Sequence, residues 1–234
     1  MKKVIITTLI WQRPQIFDIW ARQIKKIIHQ SDKTAFDIQV VCCGSEGGVS
    51  MALAQKYNFL YVEAPNLPLG RKANLRLDYI RQLDPDYVLF LGSDDLMSVR
   101  TWKKYEIWIH RGFEEICSMD IYLFNMLDRQ AAYSTGYIGT HRDGEPMAVG
   151  RLLNKRLLNL AGWKLWDDTR RFGLDGSSKR VLMGIEAKRK YYYHRHEGTI
   201  IVDLKSDTNI GRFNVKEGNR VICEAEPIIN EFII

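Results

Sequence analysis

The sequence has few cysteines, few prolines and no long apolar run. Only 4 of its 234 residues are cysteine and 6 are proline. The cysteines include no C-x-x-C pair, which argues against a zinc site and favours reduced thiols in a cytoplasmic protein. No stretch approaches the roughly 20 apolar residues of a membrane span. The apolar run 4–9 lacks a small-residue cleavage site, so it predicts a first buried strand and not a signal peptide.

The charge balance is mildly basic. Lysine and arginine number 34 against 28 aspartate and glutamate residues, which gives a net charge of +6 and a pI near 9.1. This excess suits an anionic ligand such as a nucleotide diphosphate, and equally nucleic acid or an anionic membrane surface. Hydrophobic residues make up 46% of the chain, as is ordinary for a globular protein. The length indicates one α/β domain over residues 1–234.

Strand and helix patterns alternate over the first hundred residues. Apolar runs predict buried strands at 4–10, 36–43, 59–62 and 87–91. Helical spacing predicts helices that begin at Pro14 and that cover 49–57 and 71–83. This alternation predicts βαβ units and a mostly parallel sheet. The second half is predicted to contain antiparallel strands at 121–127 and 133–138, helices at 152–160 and 178–192, and a polar loop at 167–176.

Loops follow the predicted parallel strands at the sheet edge where open α/β sheets bind ligands. In the first loop, Trp11 can stack on a base and Arg13 can hold a phosphate with its planar fork, with Thr8 beside them. Trp11 can equally pack on the sheet edge. The second loop contains Glu46 among glycines that allow a ligand to approach the backbone closely. A plain turn accounts for the second loop as well.

The third loop leads into a helix start that carries two cations. Arg71 and Lys72 lie beside the free backbone N–H groups expected at the start of a helix, and Asn74 follows them. Cations and N–H groups together favour an anion site. The alternative for this segment is a solvated helix end.

The fourth loop begins where the apolar strand 87–91 runs into Gly92, Ser93, Asp94 and Asp95. Two adjacent carboxylates at the end of a buried strand are costly unless they cap a helix, pair with a cation or bind a metal. A divalent ion that bridges to a diphosphate would satisfy them. Capping is the alternative for Asp95, because aspartate is a favoured N-cap residue.

These motifs resemble the GT-A glycosyltransferases, specifically the large family-two group. Residues 10–14 resemble the family's Asn-Arg-Pro-type turn, 69–75 resemble its Gly-x-x-Ala-Asn helix start, and 87–96 resemble its Asp-x-Asp strand end. The order and spacing agree over about the first hundred residues, and 149–162 with 173–176 form a patch of similarity beyond them. The resemblance implies a three-layer α/β sandwich with a mostly parallel Rossmann-like sheet and a small antiparallel extension. It also implies that residues 1–98 bind the nucleotide sugar and residues 99–234 the acceptor.

The resemblance further implies a glycosyltransferase that uses a nucleotide-diphosphate-sugar donor, a Mn²⁺ or Mg²⁺ ion and inversion at the anomeric carbon. Its acceptor would be a glycan, a lipid or a nucleic acid. Asp175 would be the general base, and Asp94, Asp95 and either His194 or His196 would surround the metal. The donor would be bound by Thr8, Trp11, Arg13, Glu46, Arg71, Lys72, Asn74, Ser93 and Asp94.

The sequence departs from the family pattern at three places. Cys42 and Cys43 stand where members carry an acidic residue, Gly92 replaces the leading aspartate of Asp-x-Asp, and Leu174 precedes Asp175 in place of a second acid. These departures leave open a non-catalytic GT-A-like protein, for example one that binds nucleic acid through its scattered basic pairs. A nucleotidyltransferase is a third possibility, although the first loop lacks the glycines that such enzymes use. The apolar tail 228–234 can cover a core edge or form a homodimer contact.

Overall fold

The computed structural model describes residues 1–207, 213–215, 219–232 and 234. Its helices alternate with strands over the first hundred residues and are interspersed with them afterwards. The helices of the described chain are α1 (Pro14–Gln30), α2 (Gly48–Gln55), α3 (Leu69–Gln82), α4 (Val99–His110), α5 (Lys155–Leu160), α6 (Leu174–Met183), α7 (His194–Glu197) and α8 (Glu226–Phe232).

The central sheet has seven strands in the order β10-β6-β9-β4-β1-β2-β3. Every neighbouring pair in it is parallel except those that β9 makes with β4 and β6. The mostly parallel α/β sheet predicted from the sequence is therefore confirmed. Its strands are β1 (Lys2–Leu9), β2 (Phe36–Gly44), β3 (Leu60–Glu63), β4 (Tyr87–Phe90), β6 (Glu115–Ser118), β9 (Arg151–Asn154) and β10 (Arg189–Tyr192).

A second sheet of five strands forms the extension, in the order β12-β8-β7-β11-β5. Its pairs are antiparallel apart from the parallel pair of β7 and β11. Because β5 comes from the first hundred residues and β9 from the second half, both halves of the chain contribute strands to both sheets. The strands of this sheet are β5 (Asp95–Met97), β7 (Ile121–Asn125), β8 (Ala131–Ser134), β11 (Ile201–Lys205) and β12 (Arg220–Cys223).

Two hydrophobic cores lie on opposite faces of the central sheet. Along β1, Val4 and Ile6 face one core while Ile5 faces the other, as the two-residue period of a strand requires. The first core contains the buried faces of α1 and α4 together with the second sheet. The second contains the buried faces of α3, α5 and α6. Helices therefore cover both faces of the sheet, as in a three-layer sandwich.

The second half of the chain differs from the sequence prediction in several elements. The predicted helix 152–160 begins as strand β9, and its helical part is only α5. The predicted helix 178–192 ends at Met183 and is followed by strand β10. The predicted loop 167–176 ends early, because α6 begins at Leu174. A short apolar segment fits the period of a strand and that of a helix equally well. Residues 151–154 are a strand here because β9 pairs with β4 on one side and β6 on the other.

The structure can be compared with the predictions made for the cysteines, the C-terminal tail and membrane spans. The four cysteines are free, and three of them are buried. Ile228 and Phe232 of α8 are buried in the first core, so the described part of the tail covers a core edge. The homodimer stays a prediction. None of the described helices offers the apolar run that crossing a bilayer requires.

Candidate functional site

A cleft of about 580 Å³ opens at the carboxyl ends of β1 and β4. Its floor is formed by the segment that follows β4, and one wall by α3. The opposite wall comes from the second half of the chain, chiefly the segment before β9 and the start of α6. This is the edge at which open parallel sheets bind ligands.

One corner of the cleft is an ion pair between the first and fourth loops. Nη1 of Arg13 lies 2.6 Å from Oδ2 of Asp94, and Nη2 donates to Oγ of Ser93 at 3.2 Å. Arg13 directly precedes α1, whose first residue is Pro14. All three predicted donor residues of this corner therefore line the cleft, and Trp11 lines it beside them with 41% of its surface exposed.

Two further carboxylates lie on the floor of the cleft. Asp95 begins β5 and faces Asp203 of β11 across the antiparallel pair. Burial, together with the charges of Asp94 and Asp203, raises the pKa of Asp95 well above its usual range. Burial also raises the pKa of Asp203 to about 6, against the opposing charge of Lys205, whose Nζ lies 2.5 Å from it. Oδ1 of Asp203 is buried and has no hydrogen-bond partner in the described chain.

Gly92 leaves the space in which these carboxylates stand. A Cβ atom at this position would lie 2.6 Å from Oδ2 of Asp95 and 2.8 Å from Oδ1 of Asp94. The backbone N–H of Gly92 donates to Oδ2 of Asp95 at 2.7 Å. A side chain in place of the glycine would therefore displace the Asp94 and Asp95 carboxylates from the positions they hold.

The α3 wall presents Lys72 and, one turn later, Arg76. Lys72 is 1% exposed, and its Nζ donates to the carbonyl of Ile10 at 3.0 Å and to Oδ1 of Asn66 at 3.2 Å. Burial lowers the pKa of Lys72. The predicted position of Lys72 at an anion site is compatible with this geometry.

Asp175 lies in the first turn of α6, half-buried in the opposite wall. Its Oδ2 accepts a hydrogen bond of 3.1 Å from the hydroxyl of Tyr137. Burial and the charge of Asp175 raise the pKa of Tyr137, so the tyrosine stays protonated and acts as the donor. The guanidinium of Arg142 lies 3.7 Å from the centre of the Tyr137 ring. The predicted general base thus faces the same cleft as Asp94, in a defined orientation.

Three predicted donor residues lie outside the cleft lining on the α3 and β1 side. Thr8 is fully buried, and its hydroxyl has no partner among the described residues. Arg71 is exposed on the outer face of α3. Asn74 is buried and binds the segment after α5: its amide donates to the carbonyl of Trp166 and to Oδ1 of Asp168, both at 2.7 Å. Asn74 thereby positions Trp166, which lines the cleft.

Glu46 and His194 also stand apart from the cleft. Oε2 of Glu46 accepts from the backbone N–H of Gln12 at 2.8 Å, which ties the second loop to the first. His194 is fully buried, and its Nδ1 lies 2.9 Å from the hydroxyl of Thr199. Its ring packs against Tyr192 with centroids 5.1 Å apart. The structure therefore does not bring His194 together with Asp94 and Asp95. His194 is instead buried in the interior, where its ring packs against Tyr192.

Several side chains that line the cleft were not predicted as site residues from the sequence. Arg76 carried a signal, because it follows Lys72 at the four-residue spacing that places two side chains on one helix face. Asp203 and Arg151 carried none, since both come from short strands whose pairing partners are distant in sequence. Only the tertiary fold brings them to the cleft.

The carboxylates of the cleft do not form a complete protein metal site. Among the residues that the structure describes, no three His, Cys, Asp or Glu side chains converge as metal ligands. Mg²⁺ is commonly bound through one or two carboxylates and completed by substrate phosphates and water. Asp94, with Asp95 beside it, fits such a shared site.

Solved structures share this fold at low sequence identity. S. aureus TarS 1–349 in complex with UDP-GlcNAc is 14% identical, has a TM-score of 0.57, and matches over 89% of this chain and 60% of that one. The same protein in complex with UDP is also 14% identical, with a TM-score of 0.57 over 88% of this chain and 61% of that one. HddC from Yersinia pseudotuberculosis is 13% identical with a TM-score of 0.50, over 87% of this chain and 93% of that one. No family model matches the chain, and no curated protein matches it in sequence.

The chain covers 59% of the first of the TarS structures, so it spans well under two thirds of that protein's solved portion. At 13–14% identity the likeness concerns the fold. The chain therefore has a GT-A-like fold.

Proposed function

We propose that this protein is a glycosyltransferase that moves a sugar from a nucleotide-diphosphate-sugar donor to a hydroxyl group of an acceptor. The observation that carries the proposal is one cleft with Asp94 at the end of β4 and Asp175 at the start of α6. A nucleotide-sugar transferase needs a charged corner for the diphosphate and a base on the acceptor side. The complexes of TarS with UDP and with UDP-GlcNAc, on the same fold, support a donor of this class.

The proposed reaction is a single displacement. Asp175 takes the proton of the acceptor hydroxyl, and the acceptor oxygen forms a bond to the anomeric carbon of the sugar. The bond from that carbon to the diphosphate oxygen breaks, and its electron pair leaves with the nucleoside diphosphate. Attack opposite the leaving group inverts the anomeric centre. The hydroxyl of Tyr137, 3.1 Å from Asp175, orients the carboxylate for the proton transfer.

The leaving diphosphate must be neutralised as its charge develops. Arg13 and Lys72 line the cleft and supply positive charge. We include a Mn²⁺ or Mg²⁺ ion in the proposal, held by Asp94 and, beside it, Asp95. When bound, such an ion supplies further charge stabilisation to the diphosphate.

The test is release of nucleoside diphosphate from a panel of nucleotide sugars that includes UDP-GlcNAc, with glycan and glycolipid acceptors. Asp175→Asn is expected to lower kcat by about a hundredfold or more, the usual weight of a general base. Asp94→Asn is expected to weaken donor binding and to remove any dependence on the divalent ion.

Asp143→Asn is the matched control, because Asp143 is exposed and lies outside the cleft. Full activity in both Asp175→Asn and Asp94→Asn would contradict the proposal. Nucleotide binding without transfer would favour a non-catalytic protein. Release of pyrophosphate from a nucleoside triphosphate and a sugar phosphate would favour a nucleotidyltransferase.

A further inference from the structure

Arg76 is a buried cation for which the described chain provides no counter-ion. It is 4% exposed, and its Nε has no hydrogen-bond partner. The centre of its guanidinium lies 5.4 Å from the ring of Phe90 and 5.5 Å from the ring of Trp166. No carboxylate among the described residues forms an ion pair with it. The two rings contact each other with centroids 5.8 Å apart, so the guanidinium packs beside an aromatic pair and faces the cleft.

Such an arrangement is costly in the empty protein. Burying a charge without a partner is strongly unfavourable, and the faces of Phe90 and Trp166 offset only part of that cost. Burial lowers the pKa of Arg76 to about 10, so the side chain still carries its charge at neutral pH. A ligand that brings negative charge would remove the remaining cost.

Lys72, one turn earlier on α3, is also a buried cation. Its ammonium donates to a backbone carbonyl and an amide oxygen, both neutral, and no described carboxylate pairs with it. Side chains of a helix lean toward its N-terminus, so Lys72 and Arg76 both reach toward the cleft edge of the sheet. The two cations therefore face the same part of the cleft.

Two other cations of the cleft are already compensated. Arg13 pairs with Asp94, and Arg151 lies 3.5 Å from Glu115 and donates to Ser178. The uncompensated buried positive charge of the cleft is thus concentrated on α3.

We propose that Lys72 and Arg76 form an anion subsite that binds a phosphate or carboxylate group of the substrate, with Phe90 and Trp166 holding the guanidinium in place. The ligand group would be the diphosphate of the donor or a carboxylate on a sugar. The assignment rests on the proposed function in taking the ligand to be a nucleotide sugar. The subsite itself requires only that this cleft binds an anion.

The experiment compares the thermal unfolding of the wild type, Arg76→Met, Lys72→Met and Arg81→Met, each alone and with pyrophosphate, D-glucuronate or D-glucose. Arg81→Met is the matched control, because Arg81 is exposed on the same helix. Arg76→Met without ligand is expected to melt at the same temperature as the wild type or higher, since it removes a buried unpaired charge. A charge-assisted contact is lost in each cleft variant, so the anion affinity is expected to fall about tenfold or more.

The ligands separate the two sources of the anion. Stabilisation by pyrophosphate that both cleft variants lose assigns the subsite to the diphosphate. Stabilisation by glucuronate, but not by glucose, with the same loss assigns it to a sugar carboxylate. The inference is overturned if neither anion stabilises the wild type, or if Arg76→Met and Lys72→Met are stabilised by the anion as much as the wild type and Arg81→Met. None of these readings depends on transferase activity, so they remain distinct from a failure of the proposed function.

Discussion

At the scale of single residues, Gly92 shows that the neighbours of a residue in the fold can matter more than its type. Gly92 stands where the Asp-x-Asp pattern has a carboxylate, which in the sequence suggests a loss of function. In the structure, a side chain at this position would collide with Asp94 and Asp95. The glycine therefore lets both carboxylates keep their present positions in the cleft.

The position of His194 in the fold also differs from the prediction. The resemblance to the GT-A glycosyltransferases implied a metal ligand at His194 or His196, whereas the structure places His194 in the core. Burial lowers the pKa of His194 to about 3, well below the 6.5 of an ordinary histidine. The folded protein thus holds this side chain in its neutral form throughout the physiological range.

A pH dependence of stability follows from this burial. Between about pH 6.5 and pH 3 the unfolded chain binds a proton at position 194 that the folded chain does not, so folding is opposed as the pH falls. The slope is about 1.4 kcal/mol per pH unit. His194→Gln keeps a neutral polar side chain and is expected to remove this term.

The measurement is urea unfolding of the wild type and His194→Gln between pH 4 and pH 7. The free energy of unfolding of the wild type is expected to fall relative to the variant as the pH is lowered. The raised pKa of Asp203 contributes with the opposite sign in part of this window, and the difference between the two proteins cancels it. Parallel curves would show that His194 titrates normally.

At the scale of elements, the N-terminus of α3 is fixed against the segment between α5 and α6. The N–H of Gly70 donates to the carbonyl of Arg170 at 2.8 Å, and a Cβ on Gly70 would lie only 2.0 Å from the carbonyl oxygen of Asp167. Asn74, one turn later, binds the same segment. This contact holds the α3 wall of the cleft against Trp166.

Gly70→Ala is therefore expected to separate these two segments and to destabilise the fold by about 1–3 kcal/mol, the range of an overpacked contact. Gly48→Ala at the start of α2 is the matched control, because a Cβ there meets nothing within 4 Å. The control is expected to be neutral or slightly stabilising. Equal free energies of urea unfolding in Gly70→Ala and the wild type would contradict the close contact.

The elements up to β4 could be predicted from the sequence, whereas β5 and many of the elements after it could not. β1, β2 and β4 are continuous apolar runs separated by amphipathic helices, so local pattern and global fold agree there. β9 and β10 are four residues long and derive their identity from pairing with β6. The site divides in the same way: Arg13 and Asp94 follow strands, whereas Asp203 reaches the cleft through the second sheet.

At the scale of the whole molecule, the cleft predicts how the protein responds to nucleotides. A ligand that binds only the folded state raises the melting temperature. One of UDP, GDP, CDP and ADP is expected to raise it more than the others, and Mn²⁺ is expected to enlarge that shift if Asp94 holds the ion. Asp94→Asn should then lose the metal-dependent part. A melting temperature unaffected by all four nucleotides, with and without Mn²⁺, would argue against a donor site.

The pairing of β5 with β11 has a consequence for the order in which the protein is made. Met97 pairs with Ile201, more than a hundred residues later, and Asp95 meets Asp203 through the same pair. A chain emerging from the ribosome presents β1 to β4 and α3 long before β11 exists, and a domain generally folds as a unit. The floor of the cleft is therefore closed late in translation. Until then Asp95 has no Asp203 opposite it, so the carboxylate cluster of the cleft does not yet exist.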